Sequence, residues 1–393
     1  MADAALNLRP VSDWLVAGGP PARLPEEVML GACHRLVAAG LPLFRAAVFV
    51  RTLHPNVLGR SFIWTETKDV VETSLADYDL LESEQYLKSP VRVVFQEHVE
   101  IRRRICDADC PIDYPVLEDL LKEGVTDFFA LPLRFINGEV HGASFSTRRA
   151  GGFRDDEIEG LRQISVPLAR IAEIWGLIRK TRNILDAYLG PKAGEKVLAG
   201  AIRRGDGEDI HAVIWFCDLR DSTPLADSMS RKDFLRLLNA YFECVLGPVM
   251  ERGGEVLRFI GDAALAIFPV GADPAAACAH ALEAAREAIQ RMENLNVKRA
   301  ATGRRELRFG IGLHLGDMTY GNIGTPTRIE FTVIGAAANE AARIESLCKV
   351  LEVPLLASAN VAQHLPQAPW RPLGRHALRG VGQEVELFTL AGA

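Results

Sequence analysis

Long apolar runs are missing from this sequence: no stretch approaches the roughly 20 apolar residues needed to cross a bilayer. The N-terminus, MADAALNLRPVSDW, lacks the basic start and apolar core of a secretory signal. The expectation is a cytoplasmic protein with no membrane span. Cysteine is sparse and unpaired in pattern. Seven residues, odd in number and scattered, suit free thiols in a reducing compartment better than a disulfide framework. Only Cys106 and Cys110 lie close together, in CDADC, and the two further ligands of a zinc site are not near them in sequence. A dominant basic tract is absent too. The formal net charge is -6, whereas a phosphate backbone calls for clustered Lys and Arg, so nucleic acid is not expected as a partner. The short runs Arg102 to Arg104 and Arg203-Arg204 read as solvated faces or helix ends.

What is present describes a globular chain. Hydrophobic residues make up 48% and charged residues 24%, and 393 residues exceed one ordinary core, so two domains are expected. Residues 25–39 (PEEVMLGACHRLVAA) predict a helix with Pro25 near its start and Gly40 past its end. AAVFV, over 46–50, predicts a short strand. FFALPLRF and EVHGASFST flank Asn137-Gly138, the strongest short signal for a tight hairpin. An α+β domain over 1–160 follows. YPVLEDLLKEGVTDFFALPL and GGFRDDEIEGL resemble a GAF domain. That resemblance implies either a sensory module with an unknown small-molecule ligand or a dimerisation and relay module with an empty pocket.

From Asp155 the pattern turns helical. Ile164, Leu168, Ile171, Trp175, Ile178 and Leu185 recur at spacings of four and three, with Arg182 filling one core position. This is a short heptad seam, suited either to parallel pairing of two copies or to packing on its own domain. A helical connector is expected over 161–207, closed by the Gly-rich polar turn of AIRRGDGED.

The remaining stretch, 208–393, carries a constellation of carboxylates. HAVIWFCDLRDST begins as a buried-looking strand that runs into Asp218, and EVLRFIGDAALAIF presents Asp262 in a Gly-Asp turn between two strands. Between them RKDFLRLLNAYFECVLGPVMERGG predicts an amphipathic helix. A strand, helix, strand, turn, strand order brings the two aspartates side by side on one sheet edge. Carboxylates that close repel unless a divalent cation lies between them, and magnesium takes one or two carboxylates with water and phosphate completing its shell.

FCDLRDST and RFIGDAALAIF resemble the two metal-binding motifs of class III nucleotidyl cyclases, and EFTVIGAAANEAARIE resembles that family's last catalytic motif. The resemblance implies a ferredoxin-like βαββαβ core and a nucleotide cyclase, ATP being the favoured substrate. It implies two Mg2+ or Mn2+ ions per site, held by Asp218, Asp262 and the backbone of Leu219. Asn339 matches the residue that orients the ribose, and Arg343 the one that stabilises the transition state. Their i, i+4 spacing places both on one helix face. Backbone groups around Phe216, Leu219 and Ser222 match the cradle of the β- and γ-phosphates. ALRGVGQEVELFTL resembles the family's closing strand pair; there Arg379 is either a triphosphate contact or a surface strand charge.

The family's adenine-reading lysine, four residues before the second metal aspartate, is replaced here by Arg258. Thr332, seven residues before Asn339, fits a subgroup of adenylyl cyclases. Its hydroxyl both donates and accepts, whereas Arg258 only donates, which suits N1 of adenine and O6 of guanine alike. The family pattern also implies a head-to-tail homodimer with two sites at a twofold interface. A guanylate or other nucleotide cyclase, or a catalytically weak nucleotide-binding regulator, stays open at this point.

Overall fold

The computed structural model describes residues 6–55 and 57–391, and the outer ends of the expected domains, 1–5 and 392–393, lie outside the described residues. The chain divides into two compact units, Met1–Ala187 and Tyr188–Ala393.

The first unit contains α1 (Arg9–Val16), α2 (Pro25–Ala38), β1 (Arg45–Arg51), β2 (Gly59–Thr65), β3 (Val70–Ala76), α3 (Glu84–Leu87), α4 (Pro90–Glu97), β4 (Ile101–Arg103), α5 (Pro115–Lys122), β5 (Asp127–Arg134), β6 (Val140–Thr147) and α6 (Asp155–Leu189). Its six strands form one antiparallel sheet in the order β3-β2-β1-β6-β5-β4. Successive strand residues point to opposite faces. Phe129, Leu131 and Leu133 of β5 therefore join the core under α1, α2 and α6. Phe128 and Ala130 join a second core with Val94 of α4 and Leu117 and Leu120 of α5. Burial on both faces is why FFALPL reads as a continuous apolar run rather than an alternating one.

Two expectations shift in detail. The hairpin after β5 is one residue longer than a two-residue turn: Phe135 N–H donates to Glu139 at 3.0 Å, leaving Ile136, Asn137 and Gly138 as the loop. Gly138 takes the left-handed position, as a three-residue loop requires. In α6, Ile164, Leu168 and Ile171 are buried in the unit's own core and Trp175 packs against it. That half of the expected pairing seam is thus consumed internally. Ile174, Leu177 and Ile178 face outward.

The second unit contains α7 (Pro191–Leu198), β7 (Gly207–Leu219), α8 (Ser222–Asp227), α9 (Arg231–Glu251), β8 (Glu255–Ile260), β9 (Ala263–Pro269), α10 (Pro274–Ala300), β10 (Phe309–Thr325), β11 (Arg328–Ile334), α11 (Ala336–Leu351), β12 (Leu355–Ser358), α12 (Ala359–Ala362), β13 (Trp370–His376) and β14 (Val385–Leu390). The sheet runs β13-β14-β12-β10-β7-β9-β8, with β11 on β10. Its central strands, β10-β7-β9-β8, pair antiparallel and with α9 and α10 make a βαββαβ unit. Along β7 the residues alternate. Val213, Trp215, Cys217 and Leu219 enter the core beneath α9 and α10, with Tyr241, Val245 and Ala281. Ala212 and Ile214 enter a smaller core on the other face, with Leu265, Tyr320, Phe331, Val333 and Ala341. Ala193 of α7 is buried in that second core, so part of the stretch expected as connector packs into the C-terminal unit.

Candidate active site

Asp218 is the penultimate residue of β7. The alternation that buries Cys217 and Leu219 turns Asp218 to the opposite face. Asp262 follows from the β8–β9 hairpin, where Ile260 pairs with Ala263 and leaves Gly261-Asp262 as a two-residue turn. Gly261 has φ +65 at its first position, a conformation that favours glycine. Ala263 pairs directly with Asp218, so the turn sets Asp262 beside it. Burial, and then the charge of Asp262, hold the Asp218 carboxyl above its ordinary value, while Arg220 opposes them from 3.7 Å.

Two crowded carboxylates with one cation between them and the interior are an under-compensated pair. Among the described residues no group of three His, Cys, Asp or Glu side chains is arranged to hold a metal. The donor set fits magnesium or manganese, hard ions that need only one or two carboxylates when phosphate and water complete the shell. Leu219 is buried with its side chain in the core, so only its backbone is left to contribute.

Sequence reasoning missed two residues that build this corner. Arg220 lies 2.5 Å from the Glu345 carboxylate and donates to the Glu345 carbonyl at 3.0 Å. Glu345 is 3% exposed on α11. Burial pushes its carboxyl up to about 7, against the pull of Arg220. Gly310, paired with Asp218 across β10, makes room for the ion pair: a Cβ there would fall on the Arg220 guanidinium and the Glu345 carboxylate. The signal was available, because Glu345 interrupts the buried stripe Ala337, Ala341, Ile344, Cys348 of α11. The next residue, Asp221, takes a left-handed conformation and pairs with Arg305 at 2.9 Å and Arg308 at 2.8 Å. This fixes the turn from β7 into α8, at whose start Ser222 stands. Phe216, half-buried on β7, packs against the smaller core.

The other expected residues form a second group. Arg258 of β8 is ion-paired with Glu330 of β11, a partner the sequence reading did not identify. Thr332, two residues on, is 2% exposed, and its Oγ has no hydrogen-bond partner among the described residues. Asn339 and Arg343 follow on α11. Asn339 is exposed, and the Arg343 guanidinium lies against Gly380, where an added Cβ would sit 3.6 Å from Nη2. Arg379, next to Gly380, is exposed in the turn between β13 and β14. Among the described residues no hydrogen bond or ion pair joins Asp218 or Asp262 to Arg258, Thr332, Asn339 or Arg343.

Residues 208–392 match the family model of the adenylate and guanylate cyclase catalytic domain. An uncharacterized protein of Mycobacterium tuberculosis is 37% identical over 224 residues, 55% of this chain and 39% of that protein. An adenylate cyclase of Anabaena cylindrica is 34% identical over 232 residues, 58% of this chain and 46% of that protein. The chain therefore spans less than half the length of these curated relatives. Among solved structures, the adenylyl cyclase CyaB of P. aeruginosa covers 48% of this chain and 97% of its own at 23% identity, with a TM-score of 0.45. The C-terminal unit carries a class III adenylyl/guanylyl cyclase catalytic domain. No described helix is long and apolar enough to cross a membrane.

Proposed function

We propose that this protein is a cytoplasmic adenylate cyclase that converts ATP to 3′,5′-cyclic AMP and pyrophosphate at a homodimer interface, with residues 1–160 as a GAF-like regulatory domain. The observation that carries the interfacial reading is the two-faced character of α11. At 100° per residue, Glu345 lies roughly 120–160° around the helix from Asn339 and Arg343. Glu345 is tied through Arg220 to the Asp218 corner, so Asn339 and Arg343 turn away from their own chain's aspartates. A twofold partner supplies the missing half-set to each site.

In the reaction the ribose 3′-oxygen bonds to the α-phosphorus, the bond to the bridging oxygen breaks, and pyrophosphate leaves while the hydroxyl proton passes to water. Asp218 and Asp262 would hold the divalent ions, which when bound supply charge to the attacking and leaving oxygens. Asn339 orients the ribose from the partner's α11. Arg343, whose guanidinium has no ion pair among the described residues, offers its fork to charge developing on the phosphoryl oxygens. Arg220 positions Asp218. Thr332, with an unsatisfied buried hydroxyl, accepts from the adenine amino group.

Guanylate cyclase is the second reading, and one observation favours it. Glu330 sets a carboxylate beside Arg258, so the pair offers an acceptor for guanine N1–H together with a donor for O6. A cyclic-nucleotide assay with manganese and each of the four common nucleoside triphosphates tests both readings. Cyclic AMP as the main product supports the first; cyclic GMP supports the second; no product from any nucleotide contradicts both.

A further inference from the structure

The N-terminal unit contains a cavity that the cyclase reading does not use. It lies between α2, the β1–β2 face of the sheet and α6, with about 70 Å³ of free interior. That is several times the ~10–15 Å³ needed for one water on the same kind of measure. Val28, Met29, Val48, Phe62, Leu168 and Trp175 are among the residues that wall it. Apart from Thr52, Arg60 and Arg179, every lining residue is apolar or glycine.

The two arginines decide what the cavity suits. Arg60 comes from β2 and Arg179 from α6, and both are half-buried, so they stand where the apolar interior meets solvent. Neither guanidinium has a hydrogen bond or ion pair among the described residues. Burial, and then the like charge of Arg179, pull the Arg60 guanidinium below its ordinary value; Glu26 acts the other way without forming an ion pair. Two like-charged guanidinium groups lining one apolar pocket are unfavourable unless an anion neutralises them, and their planar forks match carboxylate or phosphate oxygens. Several other arginines of the unit, by contrast, are neutralised within the chain. Arg102, Arg103, Arg149 and Arg162 each pair with a carboxylate of the same chain.

We propose that this cavity is a binding site for a small amphipathic anion, an apolar chain closed by a carboxylate or phosphate, with Arg60 and Arg179 clamping the charged end. The apolar part displaces water from the wall beside Trp175, and the head group relieves the arginine pair. Because α6 runs on from this cavity to Leu189, at the start of the C-terminal unit, the site lies on the element that joins the two units.

The test uses the full chain and reads binding, not cyclase activity, so its failure is distinguishable from failure of the cyclase reading. Octanoate, octyl phosphate, octanol and octylamine are titrated by calorimetry and by tryptophan fluorescence, with Trp175→Phe identifying the reporter. Saturable binding of octanoate or octyl phosphate, about tenfold or more tighter than octanol, is expected, with octylamine not binding. The double variant Arg60→Gln/Arg179→Gln should lose about tenfold in affinity for the anions and keep that for octanol. Ala172→Leu, which fills the cavity without touching the arginines, should weaken all probes. The ratio of octanoate to octyl phosphate assigns the head group. Equal binding of acid and alcohol, anion binding unchanged in the folded double variant, or no saturable binding of any anion to folded wild type overturns the proposal.

Discussion

Arg343 and Glu345 stand two residues apart on α11 and look in opposite directions. Glu345 is buried and pairs with Arg220 beside Asp218, while the Arg343 guanidinium rests against Gly380 without an ion pair among the described residues. One face of the helix braces the carboxylate corner of its own chain, and on the proposed reading the other face carries the groups that a partner's corner lacks.

The carboxylate corner is expected to be dispensable for folding and indispensable for turnover. Asp218→Asn should lower cyclase activity at least ~100-fold, about 2.7 kcal/mol in barrier. It should leave the thermal midpoint equal or higher, because it removes the repulsion from Asp262 that holds Asp218 above its ordinary value. Activity assays beside calorimetry check both halves. Turnover above about a tenth of wild type contradicts the assignment.

Arg220 and Glu345 should behave as one structural unit. Arg220→Met strands a carboxylate that is 3% exposed and should cost about 3 kcal/mol in unfolding free energy. Adding Glu345→Leu should return most of that loss, since no buried charge is then left alone. Denaturant titration of the two single variants and the double variant measures the coupling; additive losses contradict it.

The local contexts of the candidate residues were legible in the sequence, and the pairings around them show what sequence patterns omit. Asp218, Asp262, Asn339 and Arg343 sit in local motifs whose strand, turn and helix contexts could be read directly. Arg220–Glu345 and Arg258–Glu330 join residues far apart in the chain, and their pairing depends on sheet order and on the packing of α11. Only the break in α11's apolar stripe hinted at Glu345. In the first unit, β5 and the hairpin were readable, but the seam along α6 was ambiguous. A 3-4 spacing serves a dimer partner and a domain's own sheet equally well, and Ile164, Leu168 and Ile171 went to the sheet.

The Arg258–Glu330 pair is predicted to set base choice jointly. Glu330→Gln frees Arg258 from its ion pair and should change the ratio of kcat/KM for ATP and GTP in the same direction as Arg258→Lys, by about tenfold or less in either variant. An unchanged ratio in both variants means that neither residue reads the base.

His314 should make the C-terminal unit acid-sensitive. It is buried, with Ser358 Oγ 2.9 Å from Nδ1 and Glu340 3.3 Å from Nε2, contacts that a neutral ring protonated on Nε2 satisfies. Burial lowers its value from 6.5 to about 4. As pH falls through that window the unfolded chain binds a proton that the folded one refuses, so stability present above about 6.5 is lost progressively down to about 4. The loss is on the order of 3 kcal/mol. His314→Gln should flatten this part of the stability profile relative to wild type; parallel profiles contradict it.

The shared site is tested most directly by complementation. Asp262→Ala and Arg343→Ala should each be inactive as homodimers, because every site lacks one essential group. In a heterodimer one site carries both lesions and the other is whole, so random pairing of the two variants restores about a quarter of wild-type activity. Co-expression with two tags isolates the mixed dimer. The account predicts about half of wild-type turnover per purified heterodimer, from its single intact site. A doubly tagged heterodimer with no activity, beside active wild type handled identically, would contradict a site built from two chains.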